Sequence, residues 1–224
     1  MQEAHETPTP IEQLLDSMPT LDHLETSLRG GRLVSGLVGS LTGAPFPADA
    51  RTSQIADGFV RLVERAILDY RDSQVRLFTH LRGDHNLDDW HRAQDHMESC
   101  IESLHRSIVY LSRLRSGLRN QDGSEVIPSN RELEVMRGTS RDRVRDFRGA
   151  CEHLDEEIIE GRILASADVS LHFSTRGISL AGIFIQYEEI ARWLSQLHGV
   201  AASFSRAEIR LDQALIQLAG PSET

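Results

Sequence analysis

The chain has 224 residues, of which 39% are hydrophobic, and its formal net charge is −10. This length and composition predict one mostly helical domain with appendages, and the negative charge excludes nucleic-acid binding over the whole surface. All 24 basic residues are arginines, which excludes catalysis through a lysine Schiff base or a Walker lysine.

The cysteines, the N-terminus and the lengths of the apolar runs indicate in which cellular compartment the protein resides. Cys100 and Cys151 occupy apolar positions of helical patterns and belong to no CxxC pair, so we expect neither a zinc site nor a disulfide framework. The N-terminus lacks a basic region followed by an apolar run, and no apolar run approaches the roughly 20 residues that span a bilayer. We therefore expect a cytoplasmic protein without a signal peptide and without membrane contact.

Residues 1–50 are interpreted as an N-terminal helix followed by a flexible linker. A polar tail precedes Thr9 and Pro10, which suit the first turn of a short helix that we expect to end near Leu28. Residues 30–50 are rich in glycine, serine and proline, and this composition is typical of a linker.

Residues 51–165 are predicted to form a helical bundle. Apolar residues at spacings of three and four predict one long helix from Thr52 to Leu81 and a second from Leu87 to Leu118. The first stripe consists of Ile55, Phe59, Leu62, Val63, Ala66, Tyr70, Leu77 and Phe78, and the second of Met97, Ile101, Leu104, Ile108, Leu111 and Leu114. A loop over residues 120–130 separates them from a third helix that begins at Arg131 or Thr139 and ends at Ile159.

Residues 166–224 are expected to pack on this bundle. Alternating apolar and polar residues around the turn STRG predict a small β-hairpin. Its apolar positions are Val169, Leu171, Phe173, Ile178 and Leu180. Two helices follow, from Tyr187 to Gly199 and from Ser205 to Leu218, so the predicted class is mostly α with a small C-terminal hairpin and terminal helices.

The third helix combines an apolar stripe with many charged residues. The stripe consists of Val144, Phe147, Cys151, Leu154 and Ile158. Arg148, Glu152 and Asp155 lie on its flank, and the first two are four residues apart and can form an ion pair. His153 falls on the polar side. A solvated, charged helix face is the simplest interpretation of these residues.

A second interpretation follows from the local charge. Residues 137–148 contain five arginines, Arg141 and Arg145 among them, against two aspartates, which is a local charge of +3. Such a basic patch beside an exposed histidine suits an anionic phosphate ligand.

Arg148 and His153, separated by four residues and followed by the rest of the run EHLDEE, resemble the Arg-x(4–6)-His motif of the HEPN superfamily. The motif covers six residues, and the helical arrangement that accompanies it covers about residues 52–160. The resemblance implies a HEPN-like bundle and a metal-independent endoribonuclease without a cofactor.

In this interpretation His153 is the acid or base, and Arg148 holds the scissile phosphate. Arg141 and Arg145 would bind RNA phosphates, with Glu152 and Asp155 in supporting positions. Many HEPN proteins are toxins or phage-defence nucleases, which implies an antitoxin or defence partner.

The spacing of the motif also bears on oligomeric state. Positions five apart on a helix diverge by roughly 140° and are about 7.5 Å apart along the axis, so one copy aims Arg148 and His153 in different directions. Two copies could pool both residues in a shared cleft, and HEPN nucleases usually dimerise through this face, so we expect a homodimer. Gly149 departs from the asparagine common in the family; it either kinks the helix or marks a chain that kept the fold without catalysis.

Two further functions are compatible with the sequence. The first is a catalytically inert helical module that binds a protein or RNA without cleaving it. The second is a metal-binding bundle, because Glu102 and His105 form an ExxH motif and His91 and Asp95 share a helix face. Di-iron bundles need two ExxH motifs, so we expect no metal and interpret this face as solvated, with some side chains lining an RNA cleft. Trp90 and Trp193 are too far apart in sequence for a base-stacking platform and suit core or interface positions.

Overall fold

The computed structural model describes residues 10–28, 50–116, 133–161 and 169–218. In these residues the fold is mostly helical, with one small antiparallel sheet near the C-terminus, which confirms the predicted class. The predicted linker lies outside the described residues up to residue 49, and the predicted loop over residues 120–130 lies outside them entirely.

The elements follow one another in a simple order. The helices are α1 (Pro10–Ser17), α2 (Ala50–Arg82), α3 (Leu87–Ser116), α4 (Gly138–Ile159) and α5 (Tyr187–Leu218). The strands are β1 (His172–Phe173), β2 (Gly177–Leu180) and β3 (Ile183–Gln186), and a short 3-10 helix (Glu134–Met136) precedes α4. No helix in the described residues combines the length and the apolarity that crossing a bilayer requires.

Helices α2 and α3 form a long antiparallel pair at the centre of the fold. The pair turns at Asn86, whose side-chain oxygen accepts a hydrogen bond from the Asp88 amide at 2.9 Å and caps α3. Both predicted apolar stripes are largely buried between the helices. Phe78 is the exception: it is 43% exposed, and the Arg82 guanidinium lies 4.4 Å from its ring centre.

The prediction that the first helix ends near Leu28 is wrong, because α1 ends at Ser17. The proline at position 19 disfavours helical backbone in the residue before it. The chain continues as an irregular segment that buries Met18, Leu21 and Leu24. Arg71 of α2 holds this segment by donating hydrogen bonds to the carbonyl oxygens of Leu21 and Leu24.

Helix α4 packs against α3 and is tied to α5. Val144 and Phe147 are fully buried, as predicted, but Ile158 is 47% exposed and does not belong to the core. Arg143 donates two hydrogen bonds to the Glu189 carboxylate of α5, at 2.9 and 2.5 Å. This bidentate ion pair fixes the start of α5 against the first half of α4.

The C-terminal part differs from the sequence prediction in two respects. The sheet has three strands in the order β1-β2-β3, so the predicted hairpin is present but a further strand, β3, follows it. The two-residue turn between β2 and β3 uses Ala181 and Gly182 at φ 50° and 78°. The two predicted C-terminal helices are one continuous helix, α5, which runs through Gly199.

Both tryptophans have packing roles, as predicted. Trp193 of α5 is fully buried, and Trp90 at the start of α3 is partly buried against the core. The Trp90 ring meets that of Phe173 in β1 edge to face, with 5.3 Å between their centres. Gln94 of α3 also donates a hydrogen bond to the Leu171 carbonyl at 2.5 Å, so the sheet is anchored to α3.

We expect Glu189→Gln to destabilise the fold by about 1–2 kcal/mol, because it removes the charge of the bidentate pair. Burial raises the pKa of Glu189, but hydrogen bonds from Arg143 and the Gln186 amide outweigh this effect and hold the pKa below its ordinary value of 4.5. The stabilisation is therefore present above pH 4.5 and is lost as the pH falls through the lowered pKa. Urea unfolding at pH 7 and at pH 3 measures it.

The exposed neighbour Glu188 provides the matched control, and Glu188→Gln should change the free energy of unfolding by less than about 0.5 kcal/mol. Equal stability of the two variants at pH 7 would contradict the role given to the ion pair.

Candidate functional site

Two rows of charged side chains meet where α3 packs against α4, and we call this region the α3–α4 groove. The row on α3 consists of Glu98, Glu102 and His105, at spacings of four and three. The row on α4 consists of Arg141, Arg145, Arg148 and Glu152, at spacings of four, three and four. These spacings place each row on one face of its helix.

One end of the groove is acidic. A cavity of about 300 Å³ lies there, lined by Asp95, Glu98, Ser99, Glu102, Arg148, Cys151 and Glu152. Four carboxylates therefore surround a single guanidinium group. Burial raises the pKa of Glu98, and the nearby charge of Asp95 raises it further. We call this the acidic end of the groove.

Arg148 stands at the boundary of the acidic end. Its guanidinium donates a hydrogen bond to the Glu152 carboxylate, which confirms that these residues pair. Its Nε atom is buried and has no hydrogen-bond partner among the described residues. Arg148 therefore has unused donor capacity next to an ion pair that is only partly exposed to solvent.

The other end of the groove is basic and contains His105. Burial lowers the pKa of His105, and the positive charges of Arg148, Arg141 and, more weakly, Arg145 lower it further, whereas the negative charge of Glu152 raises it. The Nδ1 atom of His105 is buried and lacks a hydrogen-bond partner in the described part of the chain. His105, Arg141, Arg145 and Arg148 define the basic end of the groove. A pKa lowered from 6.5 leaves the His105 ring neutral at physiological pH.

The ion pair between Arg143 and Glu189 of α5 lowers the local charge of residues 137–148 from +3 to +2. Arg145 lies 3.0 Å from carboxylate oxygens of Asp142 and Asp146, the two aspartates already included in that count. Arg141, by contrast, is exposed and forms no ion pair with any other described residue.

The structure places His153 apart from the groove lining. Its side chain is 56% exposed, and Nδ1 lies 3.3 Å from a carboxylate oxygen of Glu156. The backbone of His153 is non-helical, with φ −121° and ψ 19°, so α4 is kinked at this residue. Of the two interpretations of Gly149, a kink at that residue is not found, because the backbone leaves the helical conformation at His153 instead. Asp155, the other predicted supporting residue, is exposed and has no polar partner among the described residues.

Cys151 lines the acidic end but is unsuited to nucleophilic chemistry. Burial raises the pKa of its thiol to about 12, and the negative charge of Glu98 contributes in the same direction. The thiol therefore stays protonated at neutral pH, and a protonated thiol is a poor nucleophile.

The residues of the ExxH motif are not part of the cluster of potential metal ligands that the structure brings together. Glu102 pairs with Arg106 at 3.3 Å, and the exposed His91 contacts Gln94 at 3.2 Å. Among the described residues, Asp69, Asp72 and His96 bring their ligand atoms within 4.8 Å of one another. Asp69 is buried and already accepts hydrogen bonds from Arg65 and Ser99, both at 2.7 Å, so this cluster is held together by its own polar contacts.

Comparison of the chain with protein-family models, with curated proteins and with solved structures finds no match.

We expect Gly149→Ala to stabilise the protein by about 1 kcal/mol, because glycine is unfavourable inside a helix and a Cβ at this position meets no atom within 4 Å. Thermal unfolding of the variant measures the gain. Gly58→Ala in α2 is the matched control: a Cβ there would overlap the Tyr110 ring of α3, so this variant should be less stable than the wild type. A loss of stability in Gly149→Ala would show that α4 needs glycine beside Arg148.

Proposed function

We propose that the protein is a metal-independent, HEPN-like endoribonuclease that acts as a homodimer in the cytoplasm. The observation that carries this proposal is the basic end of the α3–α4 groove, where Arg141, Arg145 and Arg148 share one face of α4. An RNA phosphodiester is an anion that bidentate guanidinium groups bind well, and its cleavage requires a group that exchanges protons near neutral pH. The resemblance of Arg148 and His153 to the HEPN motif supports the same reaction.

The residues of α4 have distinct roles in this proposal. Arg148 binds the scissile phosphate and stabilises the charge that develops on it, and Glu152 orients Arg148 through their ion pair. Arg141 and Arg145 bind flanking phosphates. His153 is the acid or base, with Asp155 nearby on the same helix. Because His153 lies outside the lining of the groove, it serves the groove of a second copy, which is why the active unit is a dimer.

A cytoplasmic ribonuclease would damage the RNA of its own cell, so its activity has to be controlled. We therefore propose that the protein works as a toxin or a phage-defence component with an antitoxin or a defence partner. Both cysteines are free thiols, which is consistent with a reducing compartment.

One observation favours a second candidate function, a helical interaction module without catalytic activity. Arg148 is already paired with Glu152, and four carboxylates surround it at the acidic end of the groove. A phosphate group that approaches Arg148 from that side meets like charge, whereas a basic protein segment meets a complementary surface.

The proposal predicts RNA cleavage by the wild-type chain in EDTA, with losses of about 100-fold or more in Arg148→Ala and His153→Ala. Total cellular RNA and a labelled single-stranded RNA serve as substrates. The exposed residues Arg61 and His91 provide matched controls, and Arg61→Ala and His91→Ala should cleave at the wild-type rate. If the folded wild-type dimer cleaves neither RNA, the interaction module replaces the nuclease as the better-supported function.

The dimeric site predicts complementation between the two inactive variants. In an equimolar mixture of Arg148→Ala and His153→Ala subunits, about half of the dimers are mixed, and each mixed dimer has one complete site. After subunit exchange the mixture should therefore recover about a quarter of the wild-type activity. Light scattering checks that the particles are dimers, and a mixture as inactive as its components would contradict a site shared between two copies.

A further inference from the structure

Three potential metal ligands meet between α2 and α3, apart from the groove that α4 forms with α3. Asp69 and Asp72 are three residues apart on α2 and therefore share one helix face, and His96 approaches them from α3. One ligand atom from each side chain lies within 4.8 Å of the ligand atoms of the other two. None of these three residues belongs to α4 or lines the cavity at the acidic end of the groove.

Asp69 is the member of this group whose orientation is fixed. Its side chain is only 4% exposed, and its Oδ2 atom accepts hydrogen bonds from Arg65 and from the Ser99 hydroxyl, both at 2.7 Å. No described residue donates a hydrogen bond to Oδ1, which lies 3.6 Å from Nδ1 of His96, too far for such a bond. A buried carboxylate oxygen without a donor is unusual in a folded protein. Hydrogen bonds that orient a carboxylate from outside are typical of carboxylates that bind metal ions.

The distances within the group are close to those between ligands of one ion. A tetrahedral zinc ion, with bonds of roughly 2.0–2.1 Å, holds its ligand atoms about 3.3 Å apart. Oδ1 of Asp69 and Nδ1 of His96, at 3.6 Å, reach that separation by a small movement. Asp72 is exposed, so rotation of its side chain can bring its carboxylate to the same distance. The exposed side of the group also gives an ion a path from solvent.

We propose that Asp69, Asp72 and His96 bind one zinc ion, with water completing its coordination. One imidazole nitrogen and two carboxylate oxygens suit Zn²⁺ better than Mg²⁺ or Ca²⁺, which prefer oxygen ligands alone. The ion joins α2 to α3 and has a structural role. Because the site contains neither Arg148 nor His153, the proposal is independent of the endoribonuclease function and adds no metal to that reaction.

Arg65 limits the strength with which this site binds a cation. Zinc binding requires a neutral His96, so the charge of the three ligands is that of the two carboxylates, −2. The Arg65 guanidinium pairs with Asp69 and also interacts with the charge of Asp72, which reduces the local charge to −1. A partly compensated site attracts a cation less strongly than two free carboxylates do. We therefore expect a Kd for zinc in roughly the micromolar range.

Zinc at this site should stabilise the folded chain, because the three ligands come together only when α2 packs against α3. At a zinc concentration of about one hundred times the Kd, Tm should rise by about 5–10 °C. Added EDTA should reverse the rise.

Calorimetric titration of the metal-free, full-length chain with zinc chloride tests the site directly. The expected result is one ion per chain in the wild type and an affinity at least about 10-fold lower in Asp72→Asn and in His96→Gln. Asp69 is left unchanged, since its buried carboxylate also holds Arg65 and Ser99. Asp84→Asn and His91→Gln change exposed residues of the same two types and are the matched controls, which should bind zinc as the wild type does. Circular dichroism and Tm in EDTA check that every variant is folded.

Cobalt(II) in place of zinc identifies the ligand atoms by a readout that does not depend on stability. Nitrogen and oxygen ligands give weak visible bands, whereas a thiolate adds an intense near-ultraviolet band. The expected spectrum has no thiolate band, and the visible bands are lost in His96→Gln. Millimolar Mg²⁺ should leave this spectrum unchanged, because a site with an imidazole ligand discriminates against magnesium.

The outcomes are distinct. Loss of zinc affinity in Asp72→Asn and His96→Gln, with both controls unchanged, supports the site. A wild-type Kd of about 1 mM or weaker overturns it. Wild-type affinity in both ligand variants also overturns it, and a loss in Glu98→Gln or a thiolate band from Cys151 then places the ion in the acidic cavity of the groove.

Discussion

The apolar interface between α2 and α3 is the constraint on which the rest of the structure depends. The two helices are antiparallel, and their apolar stripes are largely buried against each other and the surrounding elements. Burial of a large apolar side chain contributes roughly 1.5–3 kcal/mol, so rotating α3 about its axis would forfeit many such contributions at once. The orientation of α3 is therefore fixed, and with it the face that carries Glu98, Glu102 and His105.

Helix α4 forms the second wall of the groove, and contacts outside the groove hold it in place. Val144 and Phe147 enter the core, and Arg143 is tied to Glu189 of α5. These contacts also fix the charged faces of α3 and α4 that form the groove. The groove is acidic on one side of Arg148 and basic on the other. The field of these side chains repels an anion at the acidic end and attracts it at the basic end.

Much of the fold could be predicted from the sequence, and the errors have local physical causes. Helices α2, α3 and α4 were predictable because their apolar residues recur with the helical period. Strand β3 was missed because its turn places Ala181 at a positive φ, where glycine, asparagine or aspartate is usual. The break predicted after Gly199 does not occur, since the cost of one helical glycine, about 1 kcal/mol, is smaller than the gain from burying its neighbours Leu197 and Val200.

The site was predictable only as far as its contacts are local in sequence. Arg148 and Glu152 are four residues apart on one helix, so their pairing follows from helical geometry alone. The partner of Arg143 lies 46 residues away, and a count of charges along α4 could not include it. The same limit applies to the surroundings of Arg148. His153 is close to Arg148 in sequence, but the turn of the helix directs it elsewhere, and its described partner is Glu156. The carboxylates of Glu98 and Glu102, about 50 residues before Arg148 in the sequence, line the same cavity as Arg148. In a bundle whose helices are fixed by their apolar faces, charged groups that act together are therefore as readily supplied by facing helices as by one.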